Sequence, residues 1–74
     1  MEKTNIVRAD ITSLVAQTCG RQIAAFFSTT YSSETLPIFL HHSFLVLKEM
    51  TGTQKAREQL NAILRKYGII VPYE

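Results

Sequence analysis

Cysteine, glycine, proline and charge are all scarce in this chain. There is one cysteine, three glycines, two prolines and no tryptophan in 74 residues, and 19% of the residues are charged. The lone Cys19 excludes an intrachain disulfide and fits a reducing compartment. At helical spacing among aliphatic residues it reads first as a small packed hydrophobe and second as a reactive or interchain thiol. Three scattered glycines cannot build a phosphate-cradling loop, and no nucleophile elbow is present. The six acids, Glu2, Asp10, Glu34, Glu49, Glu58 and Glu74, are dispersed, so spacing sets up no carboxylate pair. A pairing of Cys19 with His41 or His42 lacks any residue that would orient it. These absences argue against an enzyme and leave no residue set for a metal or cofactor.

Long apolar runs are missing too. The longest, at 23–27 and 44–47, hold five and four residues, far short of a membrane span. The polar start Met1-Glu2-Lys3-Thr4-Asn5 has no apolar stretch behind it that would make a signal peptide. The reading is a soluble, cytoplasmic protein. A net charge of +2 is too small to argue for nucleic acid by itself. What the chain does have is apolar residues, 46% of the total, in a single domain spanning 1–74. That length is near the lower limit at which one core stabilises a monomer, and no disulfide or metal staple compensates. The surplus of apolar residues favours oligomerisation.

Helical periodicity organises the chain. Val7, Ile11, Leu14, Val15, Cys19, Ile23, Phe26 and Phe27 recur at spacings of three and four, with Thr4, Asn5 or Asp10 as candidate N-caps. Arg8, Thr12, Gln17 and Arg21 occupy the opposite face as a solvated side. The spacing predicts one long helix over about 6–28 with a weak point at Gly20, or two helices if it breaks there. Hydroxyl residues at 28–35 end the pattern, and Ser33 or Thr35 caps a second helix over about 35–51 that tolerates Pro37 in its first turn. Gly52 ends that helix, and a third runs over about 53–67 with Ala56, Leu60, Ile63, Leu64 and Tyr67 on one face. Gly68 closes it, with Ile69 placed for the apolar contact that follows a glycine cap. The tail 69–74 is β-branched and then stopped by Pro72, an extended apolar arm. No internal repeat is visible. The expected fold is therefore all-α: a three-helix bundle, or four helices if Gly20 breaks the first, with a short tail.

The second helix carries two apolar faces. Leu36, Phe39, Leu40, Phe44, Val46, Leu47 and Met50 share a broad one, while Ile38 and Leu45 form a narrow stripe on the far side, flanked by His41 and His42. Two faces require partners on both sides, and in a chain this short the second partner is expected to be another copy. Ile38, His41, His42 and Leu45, with the tail residues Ile69, Ile70 and Val71, are the expected oligomer or partner interface. Adjacent histidines point about 100° apart, so the pair cannot grip one ion as residues four apart would. Meeting across a symmetric interface, they would bind metal or sense pH; the plainer reading is rings half-buried beside the stripe.

Two functions compete. The first is a non-enzymatic helical adaptor or regulator that self-associates and binds another protein. The second is a small dimeric nucleic-acid-binding regulator using Lys55, Arg57, Arg65 and Lys66 on the third helix, against which only Glu58 stands. The turn before that helix does not match the spacing of a helix-turn-helix, and a solvated basic face explains the same residues. One local resemblance bears on the choice. Leu60-Asn61-x-Ile63-Leu64, followed by Gly68, Ile70 and Pro72, looks like the C-terminal end of the quorum-sensing antiactivators of conjugative plasmids. Those are small all-helical dimers that sequester a transcriptional activator. The resemblance is confined to that helix end, in a shorter chain whose remainder follows another pattern, so it does not place the chain in that family. It implies only what the first reading already holds.

Overall fold

A computed structural model describes residues 3–31 and 33–70. Four helices, with no strand among the described residues, make up the fold: α1 Lys3–Cys19, α2 Arg21–Thr30, α3 Leu36–Thr51 and α4 Thr53–Lys66. The single long helix expected over 6–28 is thus two. Gly20 sits at φ 103°, ψ 161°, in a backbone region essentially closed to residues with a side chain. Its N–H donates to the Ala16 carbonyl at 3.0 Å and closes α1, while its own carbonyl accepts from the Ala24 N–H at 3.1 Å and opens α2. One residue therefore serves as the end of one helix and the start of the next. The first helix also begins at Lys3, which puts Thr4, Asn5 and Asp10 inside it and not at its cap.

Gly52 repeats the device between α3 and α4, at φ 94°, ψ 159°, donating to Lys48 at 2.8 Å and accepting from Ala56 at 3.1 Å. The repetition extends to the core. Counted from each glycine, the same positions are buried in both halves: Val7 and Phe39, Ile11 and Ser43, Val15 and Leu47, then Ala24 and Ala56 past the hinge. The fold thus has two helix–glycine–helix units that share these four buried positions, whereas Phe27, Leu40, Phe44 and Leu60 have half-buried or exposed counterparts; the sequence shows the recurrence only as Gly-x-Gln-x-Ala at 20–24 and 52–56.

The hub of the packing is α1, which touches α2, α3 and α4; α3, the most apolar helix, packs along α1 and α4 and meets α2 through the Phe39 and Phe27 rings, 5.7 Å apart. Val7, Ile11 and Val15 of α1 are fully buried, and Phe27, Phe39, Leu40, Leu47 and Leu60 close around them. Ser43 joins this core without leaving its hydroxyl unpaired, because the hydroxyl donates back to the Phe39 carbonyl at 2.8 Å. The expected face of the first helix fails at one place. Ile23 and Phe26 are exposed at 40% and 59%, since the turn at Gly20 re-aims α2 so that Ala24 and Phe27 face inward. At the other end α4 stops as expected. The Gly68 N–H donates to Arg65 at 3.1 Å, the Ile69 N–H donates to Leu64 at 2.9 Å, and Ile69 packs against the core.

The hinges lend themselves to a direct check. A Cβ at Gly20 or Gly52 would meet nothing within 4 Å, so only the backbone resists it. Gly20→Ala and Gly52→Ala should each destabilise the fold by about 1–3 kcal/mol in urea titration, with no clash to relieve. An unchanged midpoint for either would show that its junction does not hold the conformation described.

Candidate interaction surface

The apolar stripe on α3 is uncovered. Ile38 and Leu45 are exposed at 43% and 41%, His41 is exposed and His42 is half-buried. Four of the residues expected to form the interface are thereby on one face of one helix. The tail is elsewhere: Ile69 packs inward beside Leu64, Ile70 is 99% exposed, and Val71 lies outside the described residues. As far as it is described, the tail leaves the stripe open.

A chain of rings extends this face toward α2. His42 lies flat against Tyr31, centroids 4.2 Å apart and planes 14° from parallel. Tyr31 in turn meets the edges of Phe27 at 4.9 Å and Phe26 at 6.3 Å, and His41 sits 5.9 Å from His42. The residues holding Tyr31 in place come from α1. Arg8, expected on the solvated face, is half-buried; its guanidinium donates to the backbone carbonyls of Tyr31, at 3.3 Å, and Glu34, and lies 5.1 Å from the Phe39 ring centre. A hydrogen bond from the Thr12 hydroxyl to the Arg8 carbonyl at 2.8 Å completes the support. Sequence periodicity cannot reveal this role, because the bonded residues stand more than twenty positions apart.

Charge distribution separates this face from the rest of the molecule. Between positions 22 and 47 the only charged residue is Glu34, whereas α4 alone carries Lys55, Arg57, Glu58, Arg65 and Lys66. Depletion of charge beside exposed aromatic and aliphatic side chains is the compositional mark of an interface centre. Beneath the same turn runs a cleft of about 440 Å³ lined by Asn5, Arg8, Ala9, Thr12, Ser28 and Phe39. Among the described residues that line it, the single charged group is the guanidinium already bonded to two carbonyls.

The basic residues of α4 are all exposed but form no single stripe. At about 100° per residue, Lys55 and Lys66 lie nearly in line, while Arg65 and Arg57 are turned away from them by roughly 80° and 160°, and Glu58 stands between. Lys66 is also engaged, its Nζ 3.5 Å from Asp10 and 5.3 Å from the Tyr67 ring centre. The junction before α4 is the single residue Gly52, shorter than the three- or four-residue turn of a helix-turn-helix. Among the described residues no three His, Cys, Asp or Glu side chains converge on a metal position. Burial pushes the Cys19 thiol up, which keeps it protonated and a poor nucleophile at neutral pH. No described helix is long and apolar enough to cross a membrane.

Compared with known families, curated proteins and solved structures, the chain gives no match.

One polar contact outside the face ties the two ends of the chain together. The Tyr67 hydroxyl donates to the Asp10 carboxylate at 2.6 Å, joining α1 to the end of α4. That bond, aided by Lys66 against a contribution from burial, holds the Asp10 carboxyl below the usual carboxylate range, and the same bond pushes the Tyr67 hydroxyl up. A lowered carboxyl stabilises the fold above its unfolded value and ceases to do so as pH falls through its folded one. A raised phenol stabilises below its unfolded value and is lost as pH rises through its folded one. The stability of the wild type relative to Tyr67→Phe should therefore be constant near neutrality and shrink at both ends, in acid and in alkali. A difference that stays flat across urea titrations from about pH 7 to about pH 3 would show that the bond is absent in solution.

Proposed function

We propose that this protein is a non-enzymatic helical interaction module, a small adaptor or regulator that self-associates and binds another protein through the α2–α3 face. One observation carries the reading: Phe26, Ile38 and Leu45 stand exposed on a surface almost free of charge. The magnitudes say what kind of partner it fits. Exposed apolar side chains of this number present a few hundred Å² of apolar surface, the scale of a functional patch on a monomer. Covering about 300 Å² gains roughly 8 kcal/mol at ~25 cal/mol per Å². Association costs about 4–15 kcal/mol, so a polar surface laid on the patch would hardly hold. A partner bringing an equal apolar face doubles the gain and binds. A lone thiol with no disulfide partner fits the reducing cytoplasm as the place of action.

The competing reading, a dimeric nucleic-acid-binding regulator, rests on Lys55, Arg57, Arg65 and Lys66. It requires salt-dependent retention on DNA or RNA that is lost on reversing those charges. The basic residues spread around α4, the tie of Lys66 to Asp10 and the one-residue junction all favour a solvated basic side instead.

Sedimentation equilibrium tests the proposal. The wild type should show a concentration-dependent mass above that of one chain. Because Leu45 is exposed, Leu45→Asp should keep its helicity while its mass falls to that of a monomer. A wild type that remains monomeric throughout, or a folded Leu45→Asp of unchanged oligomer mass, contradicts it. Retention on nucleic acid by the wild type, abolished by charge reversal at those four positions, would move the function to α4.

A further inference from the structure

The cleft beneath the α2–α3 turn is built where three helices meet, and it is independent of the self-association proposed above. Asn5, Arg8, Ala9 and Thr12 recur at spacings of three and four, so they line one stripe of α1. Ser28, from the last turn of α2, and the buried Phe39 of α3 complete the lining. The volume of about 440 Å³ lies within the ~300–1,000 Å³ of clefts that hold small molecules.

Arg8 selects the charge of an occupant. A guanidinium carries five N–H donors in a planar fork, and the bonds to the Tyr31 and Glu34 carbonyls leave three of them. Those bonds, with the Phe39 ring centre 5.1 Å from the guanidinium carbon, hold the side chain in place before anything binds. What carbonyls and a ring do not supply is a counter-charge. Among the described residues no carboxylate pairs with Arg8, although it is half-buried. A partly desolvated cation bonded only to neutral groups gains from an anion. The other polar groups agree with that sign. The Asn5 amide and the Ser28 hydroxyl can donate, and Asn5 stands in the first turn of α1, at the positive end of its dipole. Thr12 has already given its proton to the Arg8 carbonyl. One positive charge matches one carboxylate, whereas a phosphate dianion would leave unmatched charge beside Ala9 and Phe39.

We infer that this cleft binds a small organic monocarboxylate. The carboxylate takes N–H donors of Arg8 that the two carbonyls leave, and a short apolar body lies along the Ala9 side of the cleft.

Titration of the full chain with cinnamate at neutral pH, followed by amide NMR, tests this. The neutral amide cinnamamide and the dianion phenyl phosphate serve as comparisons. Cinnamate should give saturable shifts at Asn5, Ala9, Thr12 and Ser28. Cinnamamide should bind at least about tenfold more weakly, since it keeps the shape and loses the charge-assisted bonds. This comparison needs no substitution at Arg8, whose loss would also release the turn. Ala9→Leu fills the cleft from an exposed position, so it should keep helicity and lose the cinnamate shifts. The absence of saturable shifts at those four residues, or their survival in a folded Ala9→Leu, would overturn the site. Equal binding of acid and amide would overturn the role given to Arg8. Tighter binding of phenyl phosphate than of cinnamate would overturn the choice of a monocarboxylate, and shifts gathered at Lys55 and Arg65 would reveal only unspecific anion attraction.

Discussion

Two glycines hold a backbone conformation that side chains forbid, and the positions of all four helices follow from them. At Gly20 and Gly52 the chain leaves one helix and enters the next within a single residue, with no connecting loop to adjust the angle. Each pair of helices is therefore joined directly, and the core is assembled where the two pairs meet. Four positions counted from each glycine are buried in both units. The hinge also shapes the surface. In an unbroken helix Phe26, eleven residues after Val15, would come round to about the same side, three full turns later. The reversal at Gly20 gives that place to Ala24 and Phe27 and leaves Phe26 outside. The exposed ring is a consequence of the hinge.

Much of this was legible in the sequence, and the failures have physical causes. The bounds of α3 and α4, the core face of α4 and the glycine cap at Gly68 follow from periodicity and local capping, which act over a few residues. The stripe of Ile38 and Leu45 was legible because an isolated pair seven apart on a helix has an unambiguous direction. What periodicity could not decide was whether Gly20 bends or breaks its helix, since the cost of a glycine inside a helix is small against what tertiary packing returns. The hub role of α1 was missed for a related reason: apolar content points to α3, but the number of neighbours depends on where the hairpins cross. Arg8 and the Asp10–Tyr67 bond join residues far apart in the chain, and no local pattern announces such partners.

The molecule is divided by charge in a way that bears on what it does. One side, built from positions 22–47, has a single charged residue, Glu34, whereas α4 carries a mixed basic surface suited to water. A monomer gains nothing from leaving Phe26, Ile38 and Leu45 uncovered. The rings that join them, from Phe26 through Tyr31 to His42, are held from below by Arg8, so the face has a defined shape before any partner arrives. Prior shaping of this kind reduces what must be ordered on binding.

We propose that the face of α2 and α3 is where the molecule meets its partners, beginning with itself. Amide and methyl chemical shifts followed by NMR on dilution test this residue by residue. Self-association through this face predicts concentration-dependent shifts gathered at Phe26, Tyr31, Ile38, His41 and Leu45, with Lys55, Ala62 and Arg65 on the outer side of α4 unmoved. Shifts that are independent of concentration, or gathered on α4 instead, would contradict it.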